Sequence, residues 1–395
     1  MIINCEKDKT ELICFGIAEK RPDLVPETFQ IGKSTVQFVD KTVVLGLTMD
    51  RKLSYIDHAQ KINRKILYRW VTICKFSNRN WGFRQHVIVC LLEVIVGTCI
   101  QYAGLVWINH RSIQEVQKIW IKMLKSATGA VFHVDQNALE AILGILPIEI
   151  SNSINSIKHY LKLIINKGPL DPLLDLTNQL LHDNRQSASV IAPAIKDIFH
   201  FLRWKAGMEP GDFNSNDRVI VDGLLFERFV DLSHKSCSYS KALIKQYSTV
   251  LWQERLNIQF QMDGYDVAPQ ISTKKLCFPP HTTRRTESIV LSLLYPNNLL
   301  NTFLYRYDSL RFKTPLCTCG NGQQDALHIL LYCTHVESSL RLMMEKIIVK
   351  DPIHDIKLLS NSKFLISWSR KRDFIRICTK ICESLKDTIR FEIVL

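Results

Sequence analysis

The sequence predicts a mainly α-helical protein with a small antiparallel β region at its N-terminus, which is an α+β fold class. Short runs of β-branched and aromatic residues occur only before residue 50, where Gly, Pro and Asp separate them. From Asp57 onward, apolar residues recur instead at the three- and four-residue spacing of amphipathic helices. A third feature, three cysteines and one histidine within seventeen residues, predicts a metal-clamped turn in the C-terminal part.

Size and composition exclude a disordered or low-complexity chain. The 395 residues are 46% hydrophobic and 23% charged, which is enough for two or three domains with buried cores. The net charge of +13 and the isoelectric point of about 9.1 favour a polyanionic partner, nucleic acid before an anionic membrane. Twelve scattered cysteines, with no secretory signal in residues 1–7, predict a reducing intracellular compartment.

Four short runs make up the predicted β region: Glu11–Phe15, Phe29–Ile31, Thr35–Val39 and Thr42–Leu47. Each is rich in residues that favour strands, so we expect a small antiparallel sheet. Four strands with so little chain around them cannot bury both faces. The sequence therefore predicts that this sheet is the edge of a larger structure.

Helices are predicted for most of the remaining chain, up to residue 262 and again after residue 281. Asp57 can cap a helix that continues to Trp70. A further helix at 111–125 is amphipathic, and its exterior carries four cations, namely Arg111, Lys118, Lys122 and Lys125. Prolines at 269, 279 and 280 mark the best break in the chain.

One apolar segment, residues 86–108, is long enough to cross a bilayer. Glu93 and Gln101 lie inside it, and a charge near the middle of a membrane costs about 2.5 to 3.5 kcal/mol. A helix buried inside a domain gives the same pattern, so we expect a buried helix and no membrane association.

The predicted metal ligands are Cys317, Cys319, His328 and Cys333, a complete Cys₃His set for a structural, tetrahedral Zn²⁺. Gly320 and Gly322 can take positive φ, which would let the chain fold back towards one ion. His328 and Cys333 are five residues apart and would not share a face of a straight helix. Either His328 precedes the helix or the first turn is irregular. The alternative to a metal site is a group of reduced cysteines packed beside a turn.

A basic segment precedes the cysteine turn. Its cations, Arg284, Arg285, Arg306, Arg311 and Lys313, are interleaved with Tyr305, Tyr307 and Phe312. Cations neutralise phosphates and aromatic rings stack on unpaired bases, so the segment is a candidate nucleic-acid-binding surface. The competing interpretation is an ordinary solvated face with its aromatic residues in the core.

A self-sufficient active site is not predicted. Two-metal phosphoryl transfer needs closely placed carboxylates, and the sequence contains no Asp-Asp pair or acidic triplet. Hydrolase chemistry needs an oriented nucleophile, and no Gly-x-Ser-x-Gly elbow occurs. We therefore expect binding rather than catalysis.

Several stretches follow one another in a characteristic order. The first three are residues 4–15, the run Val44–Leu47 followed by Asp50 and His58, and Tyr102–Trp107. They resemble the segment after the catalytic aspartates, the primer-grip hairpin and the thumb helix of the reverse transcriptases of non-LTR retrotransposons, the jockey and LINE type. Residues 117–129 and 138–147 fit the next two thumb segments, and the cysteine turn looks like the zinc-knuckle-like element near the end of such polypeptides. Ala103 departs from the family pattern.

The resemblance implies five consecutive segments. These are a palm remnant with a primer-grip-like hairpin (1–56), a helical thumb (57–150), a helical connection (151–280), a basic zinc-knuckle-like module (281–340) and a C-terminal helical segment (341–395). It also implies that Lys9 matches a lysine near the phosphates of the incoming nucleotide. The family's catalytic aspartates would precede Asn4. We therefore expect a truncated enzyme that binds Mg²⁺ only if the missing palm is supplied.

The predicted protein is thus a fragment of an RNA-directed DNA polymerase that is inactive by itself and retains RNA or DNA binding, in the nucleus or the cytoplasm. One alternative is a helical protein-interaction protein with structural cysteines. Another is an intact polymerase whose missing half comes from an upstream start or a second chain.

Overall fold

The computed structural model describes most of the chain, and the described residues are mostly helical. They are residues 10–15, 27–31, 34–77, 81–108, 110–130, 134, 136–167, 199–207, 225, 228–229, 231, 233, 237–262, 271, 276–294, 300–349 and 372–385. Within these residues, strands occur only in the N-terminal region. The predicted fold class, mainly α with a small antiparallel β part, is confirmed.

The strands are β1 (Thr28–Ile31), β2 (Ser34–Gln37), β3 (Lys41–Val44) and β4 (Leu47–Asp50). The helices are α1 (Ile56–Cys74), α2 (Gln85–Leu91), α3 (Thr98–Gln101), α4 (Gly104–Trp107), α5 (His110–Thr128), α6 (Gln136–Leu143), α7 (Ile148–Lys167), α8 (Cys237–Met262), α9 (Arg284–Leu294), α10 (Asn301–Tyr307), α11 (Ser338–Val349) and α12 (Arg372–Leu385). Two further segments, Leu92–Gly97 and His328–Tyr332, are π-helical.

The chain divides into two compact units, each built from non-contiguous stretches. The first contains Met1–Tyr68, Gly97–Ile119 and Ser151–Ile244. The second contains Arg69–Val96, Trp120–Ile150 and Lys245–Leu395. The five consecutive segments implied by the family resemblance stay a prediction.

The first unit begins with two β-hairpins, in which β1 pairs with β2 and β3 pairs with β4. The sequence predicted one strand over Thr42–Leu47, and this is wrong. Leu45 and Gly46 have φ of 49° and 84° and form a two-residue turn between β3 and β4, a type of turn that matches the twist of the flanking strands. The predicted strand at 11–15 contributes a single bridge between Leu12 and Phe38. The β region therefore consists of two hairpin sheets.

Asp50 fixes the passage from β4 to α1. Its carboxylate accepts hydrogen bonds from the backbone N–H groups of Lys52, Ser54 and Tyr55 at 3.0, 3.1 and 2.9 Å. These bonds support Leu53 and Tyr55 at positive φ, a conformation that is costly for residues other than glycine. Burial raises the pKa of Asp50, but the hydrogen bonds outweigh burial and lower that pKa below its usual value. The ionised carboxylate therefore holds the chain at the start of α1.

His58 joins the hairpin to α4 inside the first unit. The backbone N–H of Thr48 donates a hydrogen bond to its Nδ1 at 3.2 Å, and its ring meets the Trp107 ring edge-on with the centroids 5.0 Å apart. Burial, together with the charge of Lys61, lowers the pKa of His58. The folded unit therefore favours the neutral imidazole.

We expect the first unit to lose stability when the pH falls below 6.5, the ordinary pKa of this side chain. The pKa of His58 is lower in the folded chain than in the unfolded chain, so below pH 6.5 the unfolded chain binds a proton more readily than the folded chain does. The contribution of His58 to the free energy of unfolding is therefore full above that pH and decreases as the pH falls. His58→Asn keeps an acceptor near Nδ1 but does not titrate, and should flatten the decrease. Urea unfolding of both proteins at neutral and mildly acidic pH measures this, and equal losses in both would contradict it.

The apolar segment 86–108 is not one continuous helix. It is divided among α2, the π-helical segment Leu92–Gly97, α3 and α4. Ala103, the residue that departs from the family pattern, has φ of 51° and lies in the turn between α3 and α4. The Trp107 indole N–H donates to the Tyr102 carbonyl at 2.8 Å across this turn. Among the described residues, no helix combines the length and the apolar character needed to span a membrane.

Helix α9 is the centre of the second unit. Apart from Arg285, every residue of α9 is buried. It contacts α2 and α12, and α12 also contacts α11. Because α11 packs against the π-helical segment His328–Tyr332, the predicted metal turn is attached to this core.

Candidate metal centre and the adjoining basic surface

The first two cysteines lie on a tight fold-back. The backbone N–H of Cys317 donates to the Gly322 carbonyl at 2.8 Å, and that of Gly320 donates to the Cys317 carbonyl at 3.0 Å. Gly320 has φ of 79°, as the sequence predicted, whereas Gly322 is not among the residues with positive φ. Leu316 and Gln323 close the fold-back as an antiparallel bridge. The turn thus brings Cys317 and Cys319 to one side.

A π-helical turn carries the other two candidate ligands. In the segment His328–Tyr332 the backbone N–H of Cys333 donates to the His328 carbonyl at 2.7 Å, which is a bond to the fifth residue back. A π-helix has more residues per turn than an α-helix, so residues five apart lie on one face. Of the two explanations that the sequence allowed, the irregular first turn is confirmed.

The four side chains converge on one point. Their ligand atoms all lie within 4.8 Å of one another. The Sγ atoms of Cys317 and Cys333 are 3.8 Å apart, and Cys319 Sγ is 3.1 Å from His328 Nε2. A tetrahedral ion with metal–sulfur bonds of about 2.3 Å requires sulfur atoms about 3.8 Å apart. The cluster could therefore hold a metal ion.

The thiol pKa values show that a cation would be needed to keep all three cysteines ionised. Burial raises the pKa of Cys319, but hydrogen bonds from the Asn321 backbone and from Cys317 and His328 outweigh burial, so that this pKa is about 6. Burial raises the pKa of Cys333 to about 12, and the nearby Cys317 and Cys319 add to the increase. One thiolate forms readily here, whereas three would repel one another. A divalent cation would supply the compensating charge.

Two residues that the sequence analysis did not single out position the turn. The carboxylate of Asp325 accepts a hydrogen bond from the His328 backbone N–H at 2.7 Å and so caps the π-helical turn. The side-chain oxygen of buried Gln324 accepts from the Asn301 backbone N–H at 2.9 Å, at the start of α10. An Asp three residues before the histidine is a capping signal, but nothing in the sequence indicates the bond from Gln324 to α10.

Gly322 gives the histidine its space. A methyl group at this position would lie 3.1 Å from Nδ1 and 3.5 Å from Cε1 of His328, whereas one at Gly320 would meet nothing within 4 Å. We expect Gly322→Ala to displace the imidazole and to weaken metal affinity about ten-fold, the effect of disturbing the surroundings of a ligand. Titration against a chromogenic chelator measures the affinity. Gly320→Ala is the control, since it adds only backbone strain, and an equal loss in both variants would contradict the expectation.

A basic surface lies next to the turn. Arg306, Arg311 and Lys313 are exposed, and so are the rings of Tyr305 and Tyr307. Within the described residues, none of the three cations forms an ion pair. Phe312 is buried beneath them and packs with Leu304 and Phe303. Hereafter, the knuckle surface denotes Tyr305, Arg306, Tyr307, Arg311 and Lys313.

Arg284 and Arg285, both predicted to contact nucleic acid, differ in their exposure. Arg284 is buried and donates to the Gln85 side chain and the Ala127 carbonyl, so it is removed from the candidate interface. A guanidinium enclosed in this way cannot meet a phosphate at the surface. Arg285, one residue later on α9, is exposed.

The cations predicted on α5 share one face, because Arg111, Lys118, Lys122 and Lys125 are spaced by about two, one and one helical turns. Arg111, Lys118 and Lys122 are exposed, and Lys125 is half-buried. Lys118 donates to Glu115 at 2.7 Å, which neutralises part of the charge. Lys9 lies outside the described residues.

Comparison with known proteins adds no neighbour to this description. No protein-family model, no curated protein and no solved structure matches the chain.

Proposed function

We propose that this chain binds RNA or DNA, and that the knuckle surface is its main contact. The carrying observation is that exposed Arg306, Arg311 and Lys313 flank the exposed rings of Tyr305 and Tyr307. These cations would neutralise phosphates, and the rings would stack on unpaired bases. The bond between Gln324 and the start of α10 ties this surface to the metal turn, so that a bound ion would hold the surface in place.

We propose that the ion is Zn²⁺ and that its role is structural. Three thiolates and one imidazole are a ligand set that zinc prefers. Cys317, His328 and Cys333 are buried, and four protein ligands fill a tetrahedron, so no position stays open for a substrate. Zinc would therefore stabilise the turn rather than carry out a reaction.

A reverse transcriptase of the non-LTR retrotransposon type is the proposed origin of the chain. The order of the family-like stretches supports this, and two of them are in contact in the first unit: the Tyr102 hydroxyl donates to the Leu45 carbonyl at 3.0 Å. The exposed cations of α5 would provide a further nucleic-acid contact. The sequence supplies no Asp-Asp pair for two-metal chemistry, so binding, and not polymerisation, is proposed for this chain alone.

Binding of a labelled RNA hairpin at two salt concentrations tests the proposal. The variant Arg306→Gln/Arg311→Gln/Lys313→Gln should bind at least about ten-fold more weakly at low salt, because it loses three cations that would neutralise phosphates. Each phosphate contact adds about 0.7 to 0.9 to the slope of log affinity against log salt. The slope of the variant should fall accordingly.

The matched control is Arg372→Gln/Arg376→Gln/Lys380→Gln, which removes the same charge from exposed positions of α12. Equal weakening by both variants would mean that only net charge matters and would sink the assignment of the knuckle surface. A wild-type chain that binds no RNA at low salt would favour the protein-interaction alternative instead.

A further inference from the structure

The outer face of α1 carries charge that the sequence analysis did not assign. Ala59, Ile62 and Ile66 are buried and fix the rotation of this helix about its axis. At 100° per residue, the opposite side presents Lys61, Arg64, Lys65 and Tyr68, all of which are exposed. These four residues, all in the first unit, form the α1 strip.

The charge of the α1 strip is not neutralised within the described part of the protein. None of Lys61, Arg64 and Lys65 has an ion pair with a described residue. The only acid of the helix, Asp57, is bound to Lys41 at 2.8 Å. Cations three and four residues apart on a helix repel one another and destabilise it. An anionic partner would relieve this repulsion.

Tyr68 adds an aromatic platform. Tyr68 is 78% exposed, so most of its surface is accessible to a partner. It follows Arg64 by four residues and Lys65 by three, so the ring and these cations are neighbours on the helix surface. The strip from Lys61 to Tyr68 is about 10 Å long.

We infer that the α1 strip binds a single-stranded segment of RNA or DNA, with Lys61, Arg64 and Lys65 on its phosphates and Tyr68 stacked on one base. Bases inside a duplex are already stacked and paired, so an exposed ring on a helix reaches only an unpaired base. The inference rests on the proposed function in its class of partner, but it concerns a separate surface in the other unit.

Fluorescence anisotropy with an unstructured oligonucleotide of about twelve nucleotides, and with its duplex form, tests the inference. Tyr68→Ala should weaken single-strand binding about ten-fold and leave duplex binding unchanged, whereas Tyr68→Phe should keep the affinity of the wild type. The same oligonucleotide as RNA and as DNA shows which sugar is preferred.

Lys61→Gln/Arg64→Gln/Lys65→Gln should reduce the slope of log affinity against log salt, and the reduction should correspond to the loss of about two to three phosphate contacts. Lys158→Gln/Lys162→Gln, at exposed positions of α7, is the charge control in the same unit. Equal effects of Tyr68→Ala and Tyr68→Phe on single-strand binding would overturn the inference. It would also be overturned if the protein bound anionic lipid vesicles in preference to the oligonucleotide and the α1-strip substitutions weakened that binding. If the wild type binds nucleic acid and only the knuckle-surface variant weakens it, this inference fails and the proposed function stands.

Discussion

Replacing Cys333 by serine is expected to empty the metal centre and to unfold the turn that surrounds it. The Cys333 thiol is fully buried, its Sγ lies 3.8 Å from that of Cys317, and it ends the π-helical turn. Structural zinc contributes about 10–16 kcal/mol in small zinc modules, which exceeds the stability of most domains. A serine hydroxyl is a poor replacement, because it is not ionised at neutral pH. Zinc per purified chain should fall from about one to near zero.

Cys277→Ser is the matched control, because Cys277 is exposed and is not part of the cluster. It should keep its zinc and its melting temperature. Cys319→Ser is a second test at the half-buried ligand and should also lose zinc. If zinc content stays unchanged in Cys333→Ser and in Cys319→Ser, the site assignment is wrong, and the reduced-cysteine alternative is favoured.

The candidate metal ligands could be predicted from the sequence because they lie close together in the chain. Three cysteines and one histidine lie within seventeen residues around Gly320, and a glycine can take the positive φ that the turn requires. The role of Gly322 could not be predicted in the same way. This glycine makes room for an imidazole, and such a contact depends on how the fold-back and the π-helical turn meet.

The basic residues are harder to assign to a binding surface, because the sequence does not show which face of each helix is buried. Arg284 and Arg285 are adjacent and read alike, yet one is enclosed by the core and the other is exposed. Conversely, the cations of α1 lie in a helix that was predicted to end at Trp70 and that continues to Cys74. Their common outward face depends on which side of that helix is buried. Periodicity locates the helices, but tertiary packing determines which of their charged side chains are exposed.

A second large effect is expected at Glu287, where Glu287→Gln should lower the free energy of unfolding of the second unit by about 3–5 kcal/mol. Glu287 is completely buried. Its carboxylate accepts from Arg84 Nε at 3.0 Å and from the Gln85 backbone N–H at 2.7 Å, and it lies 3.9 Å from Arg284 Nη1. It therefore compensates two arginines and caps the N-terminus of α2.

Glutamine keeps the volume of the side chain but removes its charge, so buried Arg284 and half-buried Arg84 would both lose the charge of this carboxylate. Arg84 would still donate to the carbonyls of Phe278, Pro279 and Pro280, which are neutral acceptors. Urea unfolding followed by circular dichroism measures the loss, and Glu345→Gln, at an exposed position of α11, is the control.

The double variant Glu287→Gln/Arg284→Met separates the charge from the packing, because it removes the most deeply buried cation together with its counter-ion. If the loss comes from an uncompensated charge, the double variant should be more stable than Glu287→Gln alone, because it no longer buries the Arg284 charge without the Glu287 carboxylate. Losses that simply add, or a Glu287→Gln protein that unfolds at the same urea concentration as Glu345→Gln, would show that this carboxylate does not hold α2 and α9 together.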